Sequence, residues 1–539
     1  MVMLLLFGCG DAVVDTAADT ASAPTFEPMT GEEWLIRLSM DLRYRMPAPE
    51  ELEAVRADPS LADGYLDAWL QAPEYPEVVR TLFSEVYRTR TEDYIAAEAV
   101  GLTDEIDWQS AIGDEPLRIL GRVADEDRPW TEIVTADWVM ADDQLAGVFE
   151  LEVDGGSVPE GEWVEARYTD GRPGVGVLST TAFWWRYGSN LANKNRHRAN
   201  AVTRVLLCDD FLARPVSFDV SEVLGDGDDV EEAILTDPSC LACHASLEPI
   251  ASYLWGFFYY TTGSLTETRI YHPAREQLWR EQSGVAPAWY GDPATGLADL
   301  GVQIAGDPRF PSCAVEQVAS GFWRRPVGPS DQEELDALRE VFLNEGLTMR
   351  PLMKAVMEGE RYASTGDGGV VKMMGPPQLS GAIDAITGFR WTYQGNDMLT
   401  DTRLGFRVMA GGSNGLSVLT NTNVPTPTVP LVHERVAEAA AWTVVHDDAE
   451  LLGELPPQEG ARLFTVVTFR DVDDTEAVVR EELVNLWWQV LGEQVAEDSA
   501  EIDRLYELYR DLFALIGDER EAWISVLSAL LREPGMVFY

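Results

Sequence analysis

The stretch from Asp237 to Tyr260, DPSCLACHASLEPIASYLWGFFYY, decides how the chain is read. Cys240, Cys243 and His244 stand in it as C-x-x-C-H. Two thiols three residues apart can each add to a vinyl group of one porphyrin, and the imidazole that follows at once can ligate its iron. Local signals predict a helix there. Asp237 is a good N-cap and Pro238 suits the first helical position, so Cys240, Cys243 and His244 fall at i, i+3 and i+4 on one face. Pro249 is expected to stop or bend this helix at about Glu248, and the apolar run from Ile250 to Tyr260 to wall a macrocycle. A redox dithiol and half a zinc site are the competing readings. The dithiol leaves His244 unexplained, and the zinc site lacks a second Cys/His pair at ligand spacing. The chain therefore reads as the carrier of one covalent haem c, with Cys240 and Cys243 as thioether positions and His244 as proximal iron ligand. Only one such motif is present, which excludes a tetrahaem wire.

The rest of the sequence sets the surroundings. At 539 residues, 46% apolar and with 17 Trp, the chain is long enough for about three domains with sizeable cores. Its 92 acidic and 40 basic residues leave a net charge of -52, which argues against nucleic acid and anionic membrane surfaces as direct partners. That charge suits a heavily solvated surface in a salty medium, or a preference for a basic redox partner protein. No phosphate loop, dinucleotide fingerprint, G-x-S-x-G elbow or HExxH occurs, and carboxylates are too many for any pair to stand out.

Residues 1–8, MVMLLLFG, form a short apolar run directly before Cys9, followed by small and polar residues. This resembles a bacterial lipoprotein signal, with Leu6 at -3, Gly8 at -1 and Cys9 as the lipidated residue. The expectation is an exported protein, anchored in the periplasm or on the outer cell surface by lipid alone, with 9–29 as a disordered tether. Export agrees with haem attachment, which takes place outside the cytoplasm.

The fold class expected is mainly α: a cytochrome c-like haem region framed by helical repeat-like domains, with a small β insertion. Thr30-x-x-Glu33 is a capping box ahead of Trp34, Leu35, Leu38 and Leu42 at helical spacing, opening an N-terminal helical domain over 30–147. Alternating VFELEV and EWVEARY mark the β insertion over 148–174. A haem c domain follows over 175–330 and a C-terminal helical domain over 331–539. Three stretches, 37–75, 318–362 and 484–539, read as diverged copies of one three-helix unit. Similar amphipathic helices without common origin are the alternative.

GVLSTTAFWWRYGS (176–189), NRHRANAVTRVLLC (195–208), SCLACHASLEPI (239–250) and FPSCAVEQVASGFWRRPV (310–327) together resemble the cytochrome-type region of large secreted proteins abundant in planctomycetes and myxobacteria. In that family a CxxCH motif precedes a short acidic-Pro segment, here Glu248-Pro249 in place of the usual Asp-Pro, and a Cys-bearing helix with an Arg-Pro ending follows later. The resemblance covers most of 31–539 and implies the fold and the haem rather than an activity. Cys208 and Cys313 match Cys-bearing helices of the family. With the other thiols assigned, they are expected to form a disulfide in an exported protein; two separate buried thiols are the alternative.

The sixth iron ligand stays open. His197, inside the basic cluster Lys194 to Arg198, is the distal candidate. His272 beside Pro273, Met373 and Met374 are the others, and an open five-coordinate iron is a further possibility. The sequence thus supports a monohaem electron carrier first, a haem oxidoreductase with an open distal site second, and a surface binding lipoprotein with structural haem third.

Overall fold

A computed structural model describes residues 25–539 except 92, 154, 216–231, 235, 259–268, 366–368, 402–405, 455–458 and 471–473. The expected signal peptide, Cys9 and most of the tether lie outside the described residues. The tether ends sooner than expected. Glu27–Pro28 pairs antiparallel with Ser364–Thr365, which joins this segment to the body of the protein.

The chain is mainly α, as the sequence predicts. Helix α1 (Gly31–Leu42) starts on the expected capping box: Thr30 Oγ1 accepts from the Glu33 N–H at 3.2 Å, and Glu33 Oε2 accepts from the Thr30 N–H at 2.8 Å. Its Leu35, Leu38 and Leu42 are buried on one face. Helices α2 (Pro49–Ala57) and α3 (Leu61–Leu70) complete the first three-helix unit, where Arg43 lies 3.8 Å over the Trp69 ring and pairs with Glu51 at 2.7 Å. Next come α4 (Tyr75–Tyr87) and the long α5 (Glu105–Asp125), packed on each other.

The β insertion forms, but with an earlier strand recruited. Strand order is β1 (Val139–Ala141), β3 (Val164–Tyr168), β2 (Leu151–Val153), all antiparallel, with Val139 opposite Ala166 and Leu151 opposite Tyr168. Val139–Ala141 is buried, so it serves as the inner edge that fixes the two later strands to α5.

Helix α6 (Arg196–Leu207) packs on α7 (Pro238–Ser252), which carries the CLACH motif, and on α8 (Arg309–Trp323). With α9 (Gln332–Asn344) and α10 (Met349–Glu358), α8 makes the second three-helix unit. Helix α11 (Pro376–Thr387) ends at Gly388, whose φ of 72° is a left-handed cap, and precedes the 24-residue α12 (Val429–Leu452). The third unit is α13 (Glu476–Leu491), α14 (Ala500–Ile516) and α15 (Glu519–Leu530).

Two apolar cores run through the protein. The first spans Leu35 to Val370, so the limit expected at 331 does not divide it: α9 and α10 close on α8 and α3 and bury Leu335, Phe342 and Leu352 there. The second gathers α11 to α15 and takes Met40 and Met46 from the N-terminal region. Between them Asp41, 7% exposed, accepts from Tyr362 Oη and Tyr539 Oη, each at 2.8 Å, and pairs with Lys372. Among the described residues no helix is long and apolar enough to cross a membrane.

Candidate functional site

Helix α7 begins as its sequence directs. Asp237 Oδ1 accepts from the Ser239 N–H at 2.8 Å and from the Cys240 N–H at 3.4 Å, with Pro238 in the first turn. The helix does not end at Glu248. It continues through Pro249 to Ser252, because Leu247, Ile250 and Ala251 are buried in the first core and hold the last turn in place. One face of α7 is thus committed to the core, while Cys240, Cys243 and His244 stay partly exposed and the two thiols are not joined to each other.

The imidazole is oriented. His244 Nδ1 lies 2.7 Å from Glu248 Oε1, one turn on, and Glu248 is 4% exposed. Arg196 at the start of α6 reaches the same carboxylate, Nε to Oε1 at 2.5 Å and Nη2 to Oε2 at 3.4 Å. Burial pushes the Glu248 pKa up, but the hydrogen bonds to His244 and Arg196 outweigh it, and the net shift is downward. A carboxylate on Nδ1 favours the tautomer with its proton on that nitrogen and leaves the Nε2 lone pair available, the arrangement that orients metal-bound histidines in general. Cys240 is shifted the other way. Burial, then the charges of Asp237 and Cys243, raise its pKa, opposite to the depressed thiol of a reactive C-x-x-C pair. A covalently attached porphyrin fits this donor set: two unbridged thiols one turn apart and an imidazole whose free nitrogen is Nε2.

The neighbours differ from expectation. In the basic cluster, Arg196 is taken by Glu248. Arg198 is fully buried and donates to the carbonyls of Tyr187, Phe257 and Trp184 at 2.8, 2.9 and 3.2 Å. His197 points its ring at Tyr187, edge-on with centroids 5.7 Å apart, and hydrogen-bonds the Gly188 backbone. Burial, with the charges of Arg186, Arg198 and Arg204, lowers its pKa. Met373 is bridged to Phe538 and Met374 sits in the second core, while α7 belongs to the first. The backbone N–H of His272 donates to the Gly256 carbonyl at 2.8 Å. The described part of the aromatic run serves packing: Phe257 stacks on Trp184 at 4.8 Å and meets Tyr271 at 4.9 Å, and Trp255 contacts Phe258 at 4.7 Å. Tyr259 and Tyr260 lie outside the described residues.

Cys208, the residue that ends α6 with φ 55°, is disulfide-bonded to Cys313 of α8, 105 positions away. The loop so closed contains all of α7. Sequence reasoning missed Glu248 and Arg196 as partners of the motif. The i, i+4 spacing of His244 and Glu248 was the available signal for the first; the second is 52 positions from Glu248 and gave none. No protein-family model, curated protein or solved structure matches the chain, so its own geometry carries the functional reading.

Proposed function

We propose that this protein is a lipid-anchored, extracytoplasmic monohaem c-type cytochrome that passes single electrons between partners. Cys240 and Cys243 are the attachment thiols and His244 the proximal ligand. The observation that carries the reading is the His244 Nδ1 contact to buried Glu248 at 2.7 Å, on the same helix turn as two unpaired thiols. Bound haem supplies a one-electron couple. The protein's part is to hold the imidazole. Glu248 fixes its rotation and keeps the proton on Nδ1, and Arg196 holds Glu248 ionised, so electron density is directed to Nε2. The raised thiol pKa of Cys240 supports this reading over a disulfide-exchange pair. A net charge of -52 favours a basic redox partner protein.

The test is the oxidised and reduced optical spectrum of the chain secreted from a host that matures c-type cytochromes, beside Cys240→Ala/Cys243→Ala. A covalent haem band in the wild type, lost in the double variant, is the expected outcome. A colourless wild type overturns the reading. A haem oxidoreductase with an open distal site is the second reading, favoured by the engagement of His197 with Tyr187 and of Met373 and Met374 in the C-terminal region. Rapid binding of CO or cyanide selects it, and a low-spin spectrum insensitive to both selects electron transfer.

A further inference from the structure

Two cavities of nearly equal size, about 580 and 570 Å³, flank α4, and their charges are arranged differently. In the first, Arg90 is neutralised by Glu77 at 3.0 Å and Asp114 at 2.7 Å and Arg43 by Glu51, while Arg407 is buried in the wall and donates to the carbonyls of Ser413 at 2.8 Å and Thr400 at 3.0 Å. The second opens where α4, α6 and α8 meet, and none of its lining residues belongs to α7.

In this second cleft Arg88, held in the left-handed region at φ 57° just after α4, makes no side-chain hydrogen bond or ion pair with any described residue, and its Nε is buried. Beside it, Arg204 donates among the described residues to neutral oxygens, the Val86 carbonyl at 3.2 Å and Tyr187 Oη at 2.5 Å. Arg186, against the same loop, likewise donates to the carbonyls of Arg88 at 3.0 Å and Gly415 at 3.1 Å. Burial, and next the charge of Arg204, press the Arg88 pKa down, with Tyr187 and Asp210 opposing. The carboxylates of the cleft do not answer these charges. Glu85 binds Asn421 at 2.6 Å and Arg324 at 3.6 Å, and Asp41 belongs to its own network. Glu316 has no basic partner among the described residues, and its pKa is raised by burial. The remaining wall is apolar, including Leu82, Val86, Phe322 and Val327.

Among the described residues, a chain with 92 acidic residues has left adjacent guanidinium groups without a carboxylate in contact at a cavity of ligand size. Crowding like charges in a half-buried place is unfavourable unless an anion joins them, and guanidinium is the group that holds carboxylate and phosphate through paired N–H donors. We propose that this cleft binds a small organic anion, with its carboxylate or phosphate head on Arg88 and Arg204 and its apolar body against Leu82, Val86 and Phe322. The site is independent of the haem reading.

Calorimetric titration of the full chain at low salt with benzoate, phenyl phosphate and neutral benzyl alcohol tests it. Binding of benzoate or phenyl phosphate without benzyl alcohol is expected, and whichever anion is tighter names the head group. Arg88→Gln and Arg204→Gln should each weaken it about tenfold to a hundredfold, the loss of one charge-assisted contact. Arg435→Gln, on a side chain 75% exposed on α12, should leave it unchanged. Because Arg88 holds no other group, Arg88→Gln retains the fold and decides the matter even if Arg204→Gln does not fold. Absence of anion binding at millimolar concentration, equal binding of benzyl alcohol, or unaltered affinity in Arg88→Gln overturns the proposal.

Discussion

Glu115 shows how a single residue takes its chemistry from its place. It accepts from Tyr168 Oη at 2.6 Å and from the Ala182 N–H at 2.9 Å. Burial still pushes its pKa up to about 7, more than those bonds and Arg172 restore. The unfolded carboxyl titrates near 4.5, so between pH 4.5 and 7 the folded state keeps a proton that the unfolded state has lost. Stability therefore falls as pH rises through that window, by about 3 kcal/mol at roughly 1.4 kcal/mol per unit. In Glu115→Gln the amide still offers an oxygen to Ala182 and donates to Tyr168, and no charge forms. Denaturant unfolding at pH 5 and pH 8 should show the wild type losing about 2.5 kcal/mol more than Glu115→Gln over the interval; equal losses would refute the assignment. Nothing in the sequence singles out Glu115, because its partners Tyr168 and Ala182 lie 53 and 67 positions away. The CLACH motif was legible for the opposite reason: its three groups fall within five positions. Glu248 was legible in part, by its i, i+4 spacing from His244, whereas its burial and its second partner Arg196 depend on packing of α7 against α6.

At the scale of elements, Pro249 inside α7 and Pro116 inside α5 make one point. A proline removes a donor and crowds the preceding turn, yet the helix persists where the residues beyond it are buried, as Ile250 and Ala251 are in α7 and Leu117 and Leu120 in α5. Amphipathic spacing made the helices of all three units readable, and each unit has three helices. Where helices close on other segments was not readable, because it depends on small residues where backbones touch. Gly381 of α11 is such a place: a Cβ there would stand 2.2 Å from the Tyr44 carbonyl oxygen. Gly381→Ala should cost about 1–3 kcal/mol by forcing α11 off the loop after α1. Gly64 of α3 has nothing within 4 Å of its Cβ position, so Gly64→Ala should stabilise by about 0.4–1 kcal/mol. Melting temperatures moving in opposite directions in the two variants are the expected result; a shift of the same sign in both would count against this account.

For the whole molecule, the lasting ties are those that join distant parts of the chain. The Cys208–Cys313 bond closes a loop of 105 residues around α7, for which loop entropy gives about 4–5 kcal/mol. Cys208→Ser/Cys313→Ser should lose stability of that order in denaturant titration, and a loss below about 1 kcal/mol would show that the loop is already restrained without the bond. The limit expected at 331 falls inside one shared core, because α9 and α10 complete the core of α3 and α8, a relation no local pattern encodes. The network at Asp41 carries this furthest. Tyr539, which donates to it, is 498 positions away. A ribosome adding about 5–20 residues per second needs roughly 25–100 s to travel between them. For that interval the carboxylate of α1 lacks one of the donors that make its burial tolerable, so the network around it stays incomplete until the far end of the chain has been made.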